Sequence, residues 1–141
     1  MTLDLREGFG EFEYYNLFKF PDSSVKFQLK TLSEPITEIV ITLRNNDDVI
    51  SLLMISDVFK RTQKIKPNLL ITYMMYQQDD RLFGVSESFG LKVICDLLNI
   101  LNFGKISIFH PHSDKVELLN NCEIIDNFDF VKDSISKLNQ N

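Results

Sequence analysis

The feature that most constrains this chain is the way its hydrophobic period changes along its length. Residues 36–43 form a short run rich in β-branched side chains, Asn68-Leu69-Leu70-Ile71-Thr72-Tyr73 is a short apolar run of the kind buried on both faces of a parallel sheet, and residues 105–109 are another short apolar run. Between these runs lie two stretches in which apolar residues return at helical spacing. One carries Ile50, Leu53, Met54 and Val58; the other carries Leu91, Ile94, Cys95, Leu98 and Leu101. Strands that alternate with helices at this spacing are read as right-handed βαβ units and therefore as a mainly parallel sheet. The boundaries have local causes. Asn46 reads as a helix cap, and Asp47 and Asp48 sit where the helix dipole favours negative charge. Lys60, Arg61 and Lys64 gather at the other end, which predicts a helix over 47–64. Pro67 blocks its continuation, and Gly104 follows the second helix as a stop.

Ahead of this alternating region the chain has a different character. Residues 11–20 are dense in Phe and Tyr, Pro21-Asp22-Ser23-Ser24 supplies turn chemistry, and residues 25–30 alternate apolar with polar, which predicts an appended hairpin. Residues 122–125 read as a small strand and 128–138 as a closing helix. The fold class expected is α/β, a mainly parallel sheet flanked by helices with an amino-terminal β-hairpin, in a single domain of 141 residues. A chain of that size buries roughly two-thirds of its unfolded surface without needing a disulfide or a structural metal.

Several functional classes are excluded by composition and charge. With 15 basic against 20 acidic residues and a net charge of −5, no general positive field is available for a phosphate backbone, so nucleic acid is not an expected partner. No unbroken apolar run is longer than Leu52 to Ile55, against the roughly 20 residues of a membrane helix. Cys95 and Cys122 read as reduced thiols of a cytoplasmic protein. No glycine-rich phosphate cradle, cysteine cluster or nucleophile elbow is present, so the dinucleotide, zinc-finger and serine-hydrolase readings lose their support.

In an open parallel sheet the ligand site lies beyond the carboxyl ends of the strands. Two loops fall there: 73–81, which ends in Gln77-Gln78-Asp79-Asp80-Arg81, and His110-Pro111-His112-Ser113-Asp114, which holds both histidines. For each loop the residues alone allow two readings. His110 and His112 are either solvated imidazoles or, with the carboxylate of Asp114, ligands for a cation that a nucleotide brings. Asp79, Asp80 and Arg81 are either a solvated turn or a group that meets phosphate oxygens. Tyr73 and Tyr76 read as wall residues.

At these loops the sequence resembles the amino-terminal half of the ribose-phosphate pyrophosphokinases, or phosphoribosyl-pyrophosphate synthetases, and most closely their short phage and bacterial form. The resemblance runs from about Phe20 to Asn127. It is carried by Phe20-Pro21-Asp22, Asp57-Val58-Phe59-Lys60-Arg61, Tyr73-Met74-Met75-Tyr76 with Asp80-Arg81, Glu87-Ser88 with Leu91-Lys92-Val93, and Pro111-His112-Ser113-Asp114. It implies a phosphoribosyltransferase-like fold and transfer of the diphosphoryl group of Mg-ATP to the 1-hydroxyl of ribose 5-phosphate. The active site would lie between two similar domains, with a neighbouring subunit also holding adenine. By resemblance, Phe20 stacks on adenine and Asp22 bonds its edge, Asp80 and Arg81 border the triphosphate, and His112 lies at the magnesium and phosphate site. Arg81 and His112 are thus the candidate catalytic residues. Phe20, Asp22, Gln78 and Asp80 are the candidates for nucleotide binding, and His110, His112 and Asp126 for metal.

Three positions depart from the family pattern. Ser24 stands where an acid follows the adenine turn, Gln78 where an arginine packs on adenine, and His110 where an aspartate accompanies the metal. Gln cannot replace the permanent charge and planar stacking surface of Arg. The family's ribose-phosphate loop belongs to a carboxyl-terminal domain, so a complete catalyst is not expected from these 141 residues alone. Two readings follow. One is the nucleotide-side half of a diphosphokinase whose acceptor is a ribosyl phosphate, ribose 5-phosphate or another such as ADP-ribose, paired with a carboxyl-terminal half or working as an oligomer. The other is an inactive homologue that regulates or assembles with a full-length synthetase. In a third reading His110, His112 and Asp114 form a site for a softer ion such as zinc or manganese.

Overall fold

The computed structural model describes residues 1–101, 103–128, 132 and 135–137. Five strands form a parallel sheet in the order β1 (Thr2–Asp4), β5 (Glu38–Leu43), β6 (Asn68–Met74), β7 (Ile106–Phe109) and β8 (Cys122–Ile125). A separate antiparallel sheet has the order β2 (Gly10–Glu11), β3 (Tyr15–Lys19) and β4 (Val25–Leu29). The helices are α1 (Asn46–Thr62) and α2 (Gly90–Leu101), and a short 3-10 turn covers Asp114–Leu118. The α/β class with a parallel sheet and an added antiparallel element is as expected. The expected hairpin is the β3–β4 pair, to which β2 adds a third strand. The edge strand β1 is too short, at three residues, to show a period.

The strand order advances across the sheet in one direction, so right-handed crossovers put α1 and α2 on the same face. There the buried Ser56 hydroxyl of α1 donates to the Leu101 carbonyl of α2 at 3.2 Å. Ile39, Ile41, Leu43, Leu69, Ile71, Met74, Ile106 and Ile108 form the densely buried side of the sheet. The expectation that residues 68–73 are buried on both faces is thereby corrected. β6 alternates, with Leu69 and Ile71 buried while Leu70 and Thr72 remain half-exposed, and Thr72 pairs with the Thr42 hydroxyl at 2.7 Å.

The expected stripe of α1 is also corrected. Val49, Leu52, Ile55 and Phe59 are its buried apolar residues, while Ile50 and Met54 face outward and Leu53 and Val58 are half-buried against the core. Two apolar stripes compete on this helix because it lies between the two sheets. Phe59 meets Phe27 of β4 with ring centroids 6.5 Å apart. The cap is Asn45 rather than Asn46: its side chain accepts from the Asp48 N–H at 3.1 Å. The stripe of α2 is as expected, with Leu91, Ile94, Cys95, Leu98 and Leu101 all buried. Both cysteines are free thiols, and burial pushes that of Cys95 up to about 11. Among the described residues no helix is long and apolar enough to cross a membrane. Most of the expected closing helix over 128–138 lies outside the described residues.

Candidate functional site

The carboxyl ends of β6, β7 and β8 deliver three segments to one end of the sheet: 75–89, 110–113 and 126–128. Two of these segments are tied together by polar side chains. Gln77 is buried; its amide nitrogen donates to the Met74 carbonyl at 2.9 Å, and its oxygen accepts from the backbone N–H of His112 across the gap between loops. Three residues on, Asp80 accepts from the buried Ser113 hydroxyl at 2.9 Å and lies 3.3 Å from the Arg81 Nε. The Ser113 hydroxyl, and after it Arg81, hold the Asp80 carboxyl below its ordinary range. Ser113 also accepts from the Lys115 N–H at 3.1 Å, so one hydroxyl both caps the 3-10 turn and fastens Asp80.

Asp79 faces the other way. Its carboxylate accepts from the Gly90 N–H at 2.7 Å, which ties the loop to the amino end of α2. Position 90 has no room for a side chain, since a Cβ there would fall on the Asp79 carboxylate and the Tyr76 ring. The result is a double anchor at 77–80, holding the far loop through Gln77 and Asp80 and the helix through Asp79. What remains on the surface is the ring of His112, the guanidinium of Arg81, and Gln78, all exposed. Arg81 lies over the Phe83 ring, 5.9 Å from its centroid.

Residues with positive φ mark the same end of the molecule. Tyr76 at 65° and His110 at 42° open the two loops, and Ser23 at 69° lies in the β3–β4 turn; the fourth such non-glycine residue among those described, Asn121, sits elsewhere. Left-handed backbone is costly for residues with a Cβ and persists where surrounding bonds impose it. His110 is so held, its N–H donating to the Ile125 carbonyl at 2.8 Å.

The metal candidates are only partly gathered. His110 Nδ1 lies 3.7 Å from the Asp126 carboxylate, and the rings of His110 and His112 are 6.3 Å apart between centroids. Among the described residues no three His, Cys, Asp or Glu side chains are grouped closely enough to cage a metal. The donor chemistry is mixed. Exposed Asp126 and half-buried Asp80 suit a hard cation that keeps most of its water, whereas imidazole suits it poorly.

Phe20 and Asp22 are displayed apart from the loops. Phe20 is exposed and packs edge-on to Phe18 at 5.3 Å, while Asp22 accepts from the Ser24 hydroxyl at 2.6 Å and from its N–H, which lowers the Asp22 pKa. An ion pair from Lys19 to Asp47 docks this turn beside the amino end of α1, the end at which β5 finishes. Among the described residues no hydrogen bond, ion pair or ring contact joins Phe20 or Asp22 to the other two loops. Sequence reasoning missed the anchoring roles of Gln77, Asp79 and Ser113. They act over separations of 35, 11 and 33 residues, which no local pattern encodes.

No protein-family model and no curated protein matches the sequence. The fold recurs in the crystal structure of phosphoribosylpyrophosphate synthetase from Mycobacterium smegmatis, with a TM-score of 0.70 and 13% identity over 87% of this chain and 43% of that one. The chain therefore spans less than half the length of that enzyme. At such low identity the likeness is one of fold, and what it establishes is a phosphoribosylpyrophosphate synthetase-like α/β fold.

Proposed function

We propose that this chain is a single domain, residues 1–141, corresponding to the nucleotide-side half of a ribose-phosphate diphosphokinase. It would present Arg81 and His112 to the polyphosphate of ATP, next to Asp80 and Gln78. The observation that carries the reading is the pair of links from Gln77 to His112 and from Asp80 to Ser113. They tie the loop that carries Arg81 to the loop that carries His112 at the carboxyl end of a parallel sheet, where such folds bind ligands. Diphosphoryl transfer needs little covalent help from protein; it needs alignment and charge neutralisation, and preorganised donors supply both. Magnesium bound with the nucleotide would add charge neutralisation, with Asp126 and Asp80 as the carboxylates best suited to hold its water shell. His110 and His112 would border it. Phe20 and Asp22, displayed on a turn that has no hydrogen bond, ion pair or ring contact to those loops among the described residues, would serve adenine across a contact between subunits.

The chemistry is tested by AMP release from ATP, with ribose 5-phosphate or ADP-ribose as acceptor, in the presence of a carboxyl-terminal half. Release that depends on Arg81 and His112 supports the reading. A chain that assembles with that half yet yields no AMP above background contradicts it.

A second reading is an inactive partner of a full-length synthetase. It is favoured by Ser24, Gln78 and His110, and by the carboxylate of Asp80 beside Arg81, which offsets the charge that a phosphate would need. Light scattering of the chain mixed with a full-length synthetase separates the two: a stoichiometric complex that alters synthetase activity without AMP release by the chain itself favours this second role.

A further inference from the structure

At the opposite end of α1 lies a cleft of about 930 Å³, bounded by residues 26–35, by Val58 and Thr62, and by 63–65. Its first wall is β4, an edge strand that pairs with β3 alone. In that ladder Phe20 N–H donates to the Ser24 carbonyl and Lys30 N–H to the Tyr14 carbonyl. By the alternation of an antiparallel pair, Lys26 and Gln28 also bond toward β3, so the N–H and C=O groups of Val25, Phe27 and Leu29 point to the open edge. No hydrogen bond among the described residues occupies them. Gln63, on the facing wall, has a buried side-chain oxygen with no partner among the described residues. Buried acceptors are rarely left unpaired.

The charge around this cleft differs from that of the whole chain. Lys26, Lys30 and Lys64 line it, against Glu34 as its acid, and Lys60 stands beside it. Lys30 is engaged with the Phe12 carbonyl at 2.5 Å and reaches Glu11 at 3.5 Å. Lys26, Lys60 and Lys64 enter no ion pair among the described residues, while the nearby Asp57 is taken by Arg61. An open backbone edge next to unpaired lysines matches one kind of occupant, an extended segment that carries carboxylates on alternate residues. We propose that β4 accepts an acidic segment of a partner protein by strand addition, with backbone bonds to Val25, Phe27 and Leu29 and carboxylates over Lys26 and Lys64. A second copy is not the occupant, because pairing two such edges would bring two lysine-lined clefts of like charge together, a device by which proteins keep like edges apart.

The test uses the full chain and three short synthetic peptides: one alternating Glu with Val, one with Lys in place of Glu, and the acidic one with N-methylated backbone at alternate residues. Anisotropy should show the acidic peptide binding with a Kd near 10 μM, and the basic and N-methylated peptides at least about tenfold weaker. Amide exchange should slow at Val25, Phe27 and Leu29. The double variant K26E/K64E should weaken the acidic peptide by about tenfold or more and leave the circular dichroism of the chain unchanged. Equal binding of acidic and basic peptides, protection elsewhere on the surface, or no binding at about 1 mM would overturn the proposal. So would self-association of the chain that protects the same three amides.

Discussion

The two ends of the buried face of the sheet are held by different forces. Under α1 and α2 the sheet is held by aliphatic packing, with Ile39, Leu52, Ile55 and Ile71 wholly buried. At the carboxyl ends of the strands, the loops 75–89 and 110–113 owe their arrangement to a few side-chain bonds made by Gln77, Asp79, Asp80 and Ser113, with their chemistry-bearing tips exposed. Packing is redundant, because each buried side chain has many neighbours and a swap that keeps volume is tolerated. A loop held by single hydrogen bonds lacks that redundancy, so one substitution can move the site while the fold stays intact. The difference predicts that stability and ligand binding are separable in this protein.

The largest effect should come from the core. Leu52→Ala removes a fully buried side chain between the two sheets, and urea unfolding should show a loss of about 2–5 kcal/mol. Ile50→Ser, two residues earlier on the outward stripe of α1, should stay within about 0.5 kcal/mol of the parent, and a large loss there would mean that the outer stripe is the packed one. Next comes Gln77→Ala, which leaves the His112 N–H and the Met74 carbonyl without their partner. A loss of about 1–3 kcal/mol is expected, with amide exchange accelerated at His112 more than in β6 or β7. Asp79→Ala removes the carboxylate at the amino end of α2 and should cost about 1 kcal/mol by the same urea measurement.

The smallest effect sharpens the comparison without perturbing the core. Asp80 is held below its ordinary value of 3.8, chiefly by the Ser113 hydroxyl. A carboxyl lowered in the folded state lends stability above its unfolded pKa and loses it as pH falls through the folded value, so the link between the loops should weaken only in strong acid. Ser113→Ala should move the Asp80 titration upward toward 3.8, as read by carbon NMR of its carboxyl, and an unchanged titration would show that Arg81 alone sets it.

Much of the framework was legible from period and punctuation. The α2 stripe, the small strand at 122–125 and the β3–β4 hairpin emerged as the residues suggested, because each has a clean local pattern. α1 was misread on its facing side because Ile50, Leu53, Met54 and Val58 form as good a stripe as Val49, Leu52, Ile55 and Phe59, and only the second sheet decides between them. β6 looked doubly buried because its run of apolar residues cannot report that both crossover helices lie on one side. At the site, position was legible and attachment was not. Strand ends located both loops, yet the bonds of Gln77 to His112 and of Asp80 to Ser113 join residues far apart in sequence, and polar residues in a turn look alike whether solvated or anchoring.

The most direct measurement is a calorimetric titration of Mg-ATP into the parent chain and into His112→Ala and Arg81→Ala. Binding below about 1 mM in the parent, weakened at least about tenfold in each variant with thermal unfolding unchanged, is the expected result. No heat of binding at about 1 mM, or equal binding by all three proteins, would contradict a nucleotide site on these loops.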